Sequence, residues 1–506
     1  MSYIEISRTP LDVADLLAAG EPVAVSLSGP MRAGVRECRD FVERCLSGNV
    51  PVYGSTTGFG PLVTFSGRPT APDQCDNVLQ HLTAGQGADL PSAVVRATVL
   101  VRLWSLAQGR SGVSESVLDT LCAMLGTTFC PVVPSLGSVG ASGDLVPMAH
   151  LAHALRGSGE AWVDGRRVPA EEGLRLAGLT RLELDGRDAL ALVNGTSVTT
   201  AAAGLALASI RSSVWAAAAL TALLADLLGA SPAFLSPSSL RAFGHPAVEE
   251  VGGWLSEWLN DGEPSGDRPL QEPYSIRCSP HLIGSALEAV EHAAVVIGRD
   301  LGGISDNPLF FAEENLVAHG GNFFGQPAAF AADQLSSVAA QLGNLAERQL
   351  DLLVDPHRNG GRPPMLATVP GEQHGVQGVQ LVATATVVAM RRAAVPAAMQ
   401  SVPTNWHNQD VVPFGTQAAL TAIEQAQKLR VLHGCLAVAL RQAAYVGRLT
   451  GRREASASRC AELLEGLGQV VAPIEADRAL AAEVRQAADF LDSYLREQVK
   501  SASERV

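Results

Sequence analysis

Apolar residues recur at three- and four-residue spacing along most of this chain, and glycine, proline and short polar runs mark the breaks. After a short extended start, the spacing predicts a helix over 30–46 and another over 73–84 that stops at Gly85. Helical pattern continues from Ala93 to Leu125. A further helix is expected from Asp144 to about Leu155, with Asp144 as its N-cap and Pro147 tolerated in the first turn. Residues 160–190, with the turn Asp164-Gly165-Arg166-Arg167, read as a small hairpin or meander. Long helices dominate thereafter, near 196–230, 327–354, 376–396 and 413–445, and a charged helical tail follows. The predicted fold is mostly α: an N-terminal loop-bearing region, 1–195, and a bundle of long helices, 196–506. Helices apolar over more than one face need partners.

Composition narrows the function classes. The 506 residues are 47% hydrophobic and 17% charged, which fits a large ordered core and not a disordered chain. A net charge of −14 argues against nucleic-acid binding and against docking on anionic membranes. The start lacks an apolar h-region, so no signal peptide is expected. The stretch Thr196 to Ala230 is broken by Arg211, Asp226 and serines, and a buried helix is expected there in place of a membrane span. Eight cysteines without a C-x-x-C pair suit reduced thiols in a cytoplasmic protein. His150 and His153 sit one helical turn apart but lack further ligands, so they read as structural and no metal is expected.

The candidate chemistry starts at Ser138-Val139-Gly140-Ala141-Ser142-Gly143-Asp144-Leu145-Val146-Pro147. Ala141-Ser142-Gly143 are small residues in a Gly-bounded loop. The Gly143 nitrogen, with no Cβ beside it, can approach the Ala141 carbonyl carbon and close a five-membered ring. Loss of two waters, one from the Ser142 side chain, leaves a conjugated exocyclic methylene. Such an electrophile is absent from the ordinary side chains. A helix start behind the loop polarises the ring carbonyl further.

Other segments accompany it: Tyr53-Gly54-Ser55-Thr56-Thr57-Gly58-Phe59-Gly60, the pair His81-Leu82, Val193-Asn194-Gly195-Thr196, and Tyr274-Ser275-Ile276-Arg277. Asp306-Asn307-Pro308, Gly320-Gly321-Asn322-Phe323-Phe324-Gly325 and Thr404-Asn405-Trp406-His407-Asn408-Gln409-Asp410 complete the set. In order and approximate spacing, from Tyr53 to Asp410, these segments resemble those of the histidine and aromatic amino acid ammonia-lyases. That resemblance implies 4-methylidene-imidazol-5-one (MIO), formed autocatalytically from Ala141, Ser142 and Gly143, with no metal or nucleotide. It implies Tyr53 as the base for the substrate's β-proton, its phenol pKa pulled down by a helix end or an arginine, with Tyr274 as a neighbour in the site. Asn194 is implied beside MIO and the substrate amine. Arg277 is the implied bidentate clamp on the substrate carboxylate, assisted by Asn322. Phe323 walls the ring pocket, and Asn405, Asn408 and Gln409 belong to the binding set. Phe324 departs from the family pattern, where histidine is common, and Trp406-His407 is bulkier than usual.

His81-Leu82 falls where the family selects its ring. It looks like the pair of the tyrosine-specific members, whereas phenylalanine lyases tend to carry Phe-Leu and histidine lyases Ser-His. An imidazole can pair with a para-hydroxyl, and a site built to do so rejects the ring without it. A neutral amide at Gln409, near where histidine lyases tend to place a glutamate, argues against histidine. The implied activity is non-oxidative deamination of L-tyrosine, a small aromatic amino acid, to trans-4-coumarate. A tyrosine 2,3-aminomutase is the alternative; a phenylalanine or histidine lyase and an inactive helical scaffold rank lower. The family also implies a homotetramer whose sites combine residues from different subunits.

Overall fold

The computed structural model of the chain describes residues 2–503, and of 497–503 the helical backbone only. Its opening elements are β1 (Tyr3–Ile6), α1 (Val13–Ala19), β2 (Ala24–Leu27), α2 (Gly29–Ser47), α3 (Ala71–Leu82) and β3 (Gln86–Asp89). Then come α4 (Ser92–Ala107), α5 (Glu115–Leu125), β4 (Cys130–Pro131), β5 (Pro134–Leu136) and α6 (Leu145–Leu155). β6 (Glu160–Val163), β7 (Arg166–Pro169), α7 (Ala170–Ala177) and α8 (Asp188–Val193) precede the long α9 (Ser197–Leu228). The rest comprises α10 (Pro237–Phe243), α11 (Pro246–Leu259), α12 (Tyr274–Arg277), α13 (Ser279–Leu301), β8 (Leu309–Phe311) and β9 (Leu316–Ala318). The last helices are α14 (Gln326–Val354), α15 (Gln377–Ala393), α16 (Gly415–Leu449), α17 (Ser458–Val470) and α18 (Ala481–Ser503).

The fold is mostly α, as the spacing predicts. Two segments differ from expectation. The helical pattern of 93–125 is split between α4 and α5, because Gly109 and Gly112 turn the chain with φ of +69° and +65°. A Cβ on Gly112 would lie 2.5 Å from Val42 Cγ2. Over 160–190, only β6 and β7 form a hairpin, closed by the left-handed pair Asp164 and Gly165. The chain then turns helical in α7 and α8.

The chain divides into two compact units. The first takes in Met1–Ala206, Ala294–Asp333 and Pro396–Ile423. Its sheets are small: β1 with β2, β3 with β5, β4-β6-β7, and β8 with β9. Its centre is α4, buried without a break from Val94 to Ala107 even though it carries two arginines. Arg96 donates to the carbonyls of Ala19, Leu125 and Thr127 at the ends of α1 and α5. Carbonyls at helix ends have no partner of their own, and the charged donor satisfies them. Arg102 does the same for Ala191 in α8, with a second bond to Ser305 O at 2.6 Å. Through Arg102, α4 holds the end of α8 that carries Asn194.

The second unit is Leu207–Ala293, Gln334–Val395 and Glu424–Val506. Buried alanines and leucines of α9, α14 and α16 form its core. Gln349 on α14 donates to Thr221 Oγ1 (2.7 Å) on α9 and to Ser275 O (2.9 Å) on α12, which fixes that short helix. By length and composition α9 could cross a membrane, but 72% of its most apolar stretch is buried inside the protein. It is a core helix.

Candidate active site

Backbone conformation makes the Ser142 segment a tight loop of the first unit. Gly140 and Gly143 are left-handed, with φ of +73° and +70°. Gly143 forms backbone bridges with Gly140, Ala141 and Gly195, so the chain folds back on Ala141 within two residues. A Cβ on Gly143 would lie 2.2 Å from the Gly195 carbonyl oxygen. Only glycine fits there, and the same lack of a Cβ leaves its nitrogen free to approach Ala141.

Asp144 occupies the cap position of α6, but its side chain makes no capping bond there. The sequence-based expectation is corrected in this respect. The buried carboxylate accepts from Thr199 N (2.8 Å), Thr199 Oγ1 (2.9 Å), Thr416 Oγ1 (2.6 Å) and Ser138 Oγ (3.0 Å). These bonds fasten the loop to the first turns of α9 and α16. Burial pushes the Asp144 carboxyl up from its ordinary range, and the four bonds oppose that.

Ala141 and Ser142 line a cavity of about 970 Å³ within the first unit, together with Tyr53, His81, Leu82, Asn194, Phe323, Asn405, Asn408 and Gln409. Gln409 Nε2 donates to Ser142 Oγ at 2.9 Å, while its Oε1 accepts from Asn405 Nδ2 (2.7 Å) and Thr404 Oγ1 (2.5 Å). The oxygen accepts twice and the nitrogen donates once, which sets the orientation of this amide. It stands on an unusual turn: Asn405, Trp406 and His407 are all left-handed, with φ of 51°, 52° and 62°. For residues with a Cβ this strain costs about 1–3 kcal/mol each. Trp406, one of the bulky departures from the family pattern, is 81% exposed and does not line the cavity.

Asn194 follows α8 and donates through Nδ2 to Asn307 O at 2.8 Å. Its Oδ1 is buried with no partner among the described residues. An unpaired buried acceptor is costly, and in a cavity it offers itself to a ligand N–H. Tyr53 Oη accepts from Gly60 N at 2.8 Å, and the ring meets Phe59 edge-on at 6.2 Å. Burial raises the Tyr53 phenol pKa above its ordinary value, with the Gly60 N–H opposing. In place of the expected helix end or arginine, the phenol meets one backbone N–H, that of Gly60 at the start of the short 3-10 turn Gly60–Leu62. Burial outweighs it, so the expected lowering is corrected to a rise.

His81 Nδ1 lies 2.6 Å from Asn77 O, one turn back on α3. A carbonyl only accepts, so this bond puts the hydrogen on Nδ1 and, in the neutral ring, leaves Nε2 as an acceptor. The imidazole stacks on Phe59 at 5.8 Å. Phe59, Phe324 and Asn307 also line the cavity, although sequence reasoning gave them no role. For Phe59 the available signal was an aromatic residue inside a glycine-rich loop.

Four candidates lie outside the cavity lining: Gly143, which sits behind it against Gly195, and Asn322, Tyr274 and Arg277. Asn322 is exposed. Tyr274 and Arg277 belong to α12 in the second unit. There the guanidinium sits 4.5 Å over the Tyr274 ring, and Nε donates to Glu272 O at 3.0 Å. Its two terminal nitrogens have no hydrogen-bond partner among the described residues, and a carboxylate could take both. His150 Nε2 accepts from Gly85 N at 3.1 Å, a structural role.

The description of the aromatic amino acid lyase family matches residues 11–466. The chain is 37% identical to the tyrosine ammonia-lyase of Cereibacter sphaeroides, over 96% of this chain and 97% of that protein. It is 36% identical to the histidine ammonia-lyase of Symbiobacterium thermophilum, over 92% of each. Among solved structures it is similar to the tyrosine aminomutase from Streptomyces globisporus, with a TM-score of 0.91, 29% identity and 98% of both chains covered.

Proposed function

Because this chain belongs to the aromatic amino acid lyase family, we propose that it deaminates L-tyrosine without oxidation, giving trans-4-coumarate and ammonia. The observation that carries this reading is a single cavity lined by Ser142, Tyr53 and His81.

The family uses MIO, and the loop at Ser142 suits its formation. Gly143 is held against Gly195 by contacts that a Cβ would abolish, and its nitrogen attacks the Ala141 carbonyl carbon. Two waters leave, one with the Ser142 hydroxyl oxygen. Once formed, the group supplies an electrophilic methylene that takes up an amine and turns it into a better leaving group. Asn194 Oδ1, unpaired in the chain, accepts a hydrogen bond from the substrate's amine. Tyr53, as phenolate, removes the β-proton. Phe59, Leu82 and Phe323 wall the ring, and His81 Nε2 accepts the ring hydroxyl's hydrogen. In the homotetramer that the family resemblance implies, Arg277 and Tyr274 of a neighbouring copy complete the site, with Arg277 on the substrate carboxylate.

Histidine fits less well. Gln409 offers a neutral amide whose oxygen is already taken by Asn405 and Thr404. Asp410 is the one carboxylate in the lining, and a histidine assay tests whether it takes over. A second reading, a tyrosine 2,3-aminomutase that returns the amine to Cβ, is favoured by the likeness to the Streptomyces globisporus structure.

The test is incubation of the purified protein with L-tyrosine, with absorbance for coumarate and chiral analysis for β-tyrosine. Coumarate with stoichiometric ammonia is expected, and β-tyrosine as the main product would favour the mutase. The peptide bearing Ala141–Gly143 is expected two waters lighter than its sequence. In Ser142→Ala both the mass loss and the activity disappear; an active Ser142→Ala protein would refute the mechanism.

A further inference from the structure

Gln74 lies on α3, two turns before His81, and is only 4% exposed. Its Nε2 donates to Gly54 O at 3.1 Å and to Thr57 O at 3.3 Å, while Oε1 accepts from Arg68 N at 2.8 Å. Gly54 directly follows Tyr53, and Arg68 stands at the far end of the same loop. One side chain thus closes both limbs of the loop onto α3. Residues 74, 78 and 81 share a helix face, and all three line the cavity. Along that face the Phe59 ring spans the gap between the base and the ring reader, edge-on to Tyr53 and stacked on His81.

We propose that Gln74 is a positioning residue that joins the Tyr53 loop and α3 into one body. Reading of the ring hydroxyl at His81 and placement of Tyr53 at the β-proton are then set together. This rests on the lyase reading of the site and adds to it a coupling between specificity and rate. The physical basis is hydrogen-bond accounting. The buried carbonyl of Gly54 requires a donor, and the half-buried carbonyl of Thr57 shares it. Methionine has the length of glutamine but offers neither donor nor strong acceptor. An ionised glutamate keeps the acceptor for Arg68 and turns a carboxylate against the two carbonyls.

The test uses the full chain as Gln74→Met and Gln74→Glu, with hydrogen exchange over 54–68 and kcat and KM for L-tyrosine and L-phenylalanine. In Gln74→Met, loop amides are expected to exchange at least about tenfold faster while those of α6 and α9 keep their rates. The kcat for tyrosine falls by about 10–100-fold, more than KM changes, because displacements near 1 Å cost that much. The tyrosine-to-phenylalanine ratio of kcat/KM falls with it. In Gln74→Glu, exchange rises over 54–57 and stays slow at 68.

Unchanged loop exchange, or a fall in kcat at the wild-type ratio, overturns the proposal. If Gln74→Met shows no cooperative melt, Gln74→Glu decides by the same two readouts. Should the wild-type protein act on neither amino acid, the lyase reading fails on its own, and exchange still decides whether Gln74 holds the loop.

Discussion

Tyr53 must give up its phenolic proton before it can take one from carbon, and burial works against that. A raised phenol pKa leaves less phenolate at neutral pH than free tyrosine would have. The kcat/KM for tyrosine is therefore expected to climb between about pH 7 and 10, by up to about tenfold per unit. A pH–rate profile checks this, and a flat profile would remove Tyr53 from the role of base. His81 makes the second residue-scale prediction. In His81→Phe the ring hydroxyl loses its acceptor, and the tyrosine-to-phenylalanine ratio of kcat/KM drops by about 5–150-fold, the cost of leaving a buried hydroxyl unpaired. Steady-state kinetics on both substrates measures the ratio, and an unchanged ratio would refute the pairing. His81 and Tyr53 were both legible in the sequence, whereas the direction of Tyr53's shift was not. Burial is a property of the assembled cavity.

At the scale of elements, apolar spacing was enough to find α9, α14, α15 and α16, because each buries side chains along most of its length. It could not find the break at Gly109–Gly112, which depends on how closely Val42 approaches. Nor could it find the work of Asp144, whose partners Thr199 and Thr416 lie 55 and 272 residues away. The left-handed run at Asn405–His407 left no mark either, since it carries no glycine. α16 holds a consequence for stability. Its His433 is fully buried, and burial pulls its pKa down to about 3. A depressed folded-state pKa gives stability that is complete above the unfolded value near 6.5 and lost as the pH falls through that window toward 3. Unfolding free energy is expected to drop by about 1.4 kcal/mol per pH unit there from this residue. Denaturant unfolding of wild type and His433→Leu across the window checks it. Equal slopes would show that His433 stays neutral for another reason or is hydrated.

For the whole molecule, several large apolar side chains remain outside. Phe330 is 64% exposed, Leu381 67% and Trp406 81%. Contiguous apolar surface marks association, and the family resemblance implies that further copies of the chain cover these side chains. Light scattering of the purified protein is expected to give the mass of four chains, and Leu381→Asp to shift the population to smaller species. A monomer at micromolar concentration would leave Arg277 without the neighbouring site assigned to it. The cavity assembled by the first unit contains the electrophile loop, the base and the ring reader; the arginine in its lining is Arg68, whereas Arg277, the assigned clamp, belongs to the second unit.

The central claim is that Tyr53, Ser142 and His81 act together on a ring bearing a para-hydroxyl. It is tested most directly by competition: equimolar L-tyrosine, L-phenylalanine and L-histidine in one vessel, with coumarate, cinnamate and urocanate followed together at early times. The ratios of initial rates give the ratios of kcat/KM without regard to enzyme concentration. Coumarate is expected to exceed cinnamate by about tenfold or more, with urocanate at background. Urocanate as the leading product, or cinnamate equal to coumarate, would contradict the account.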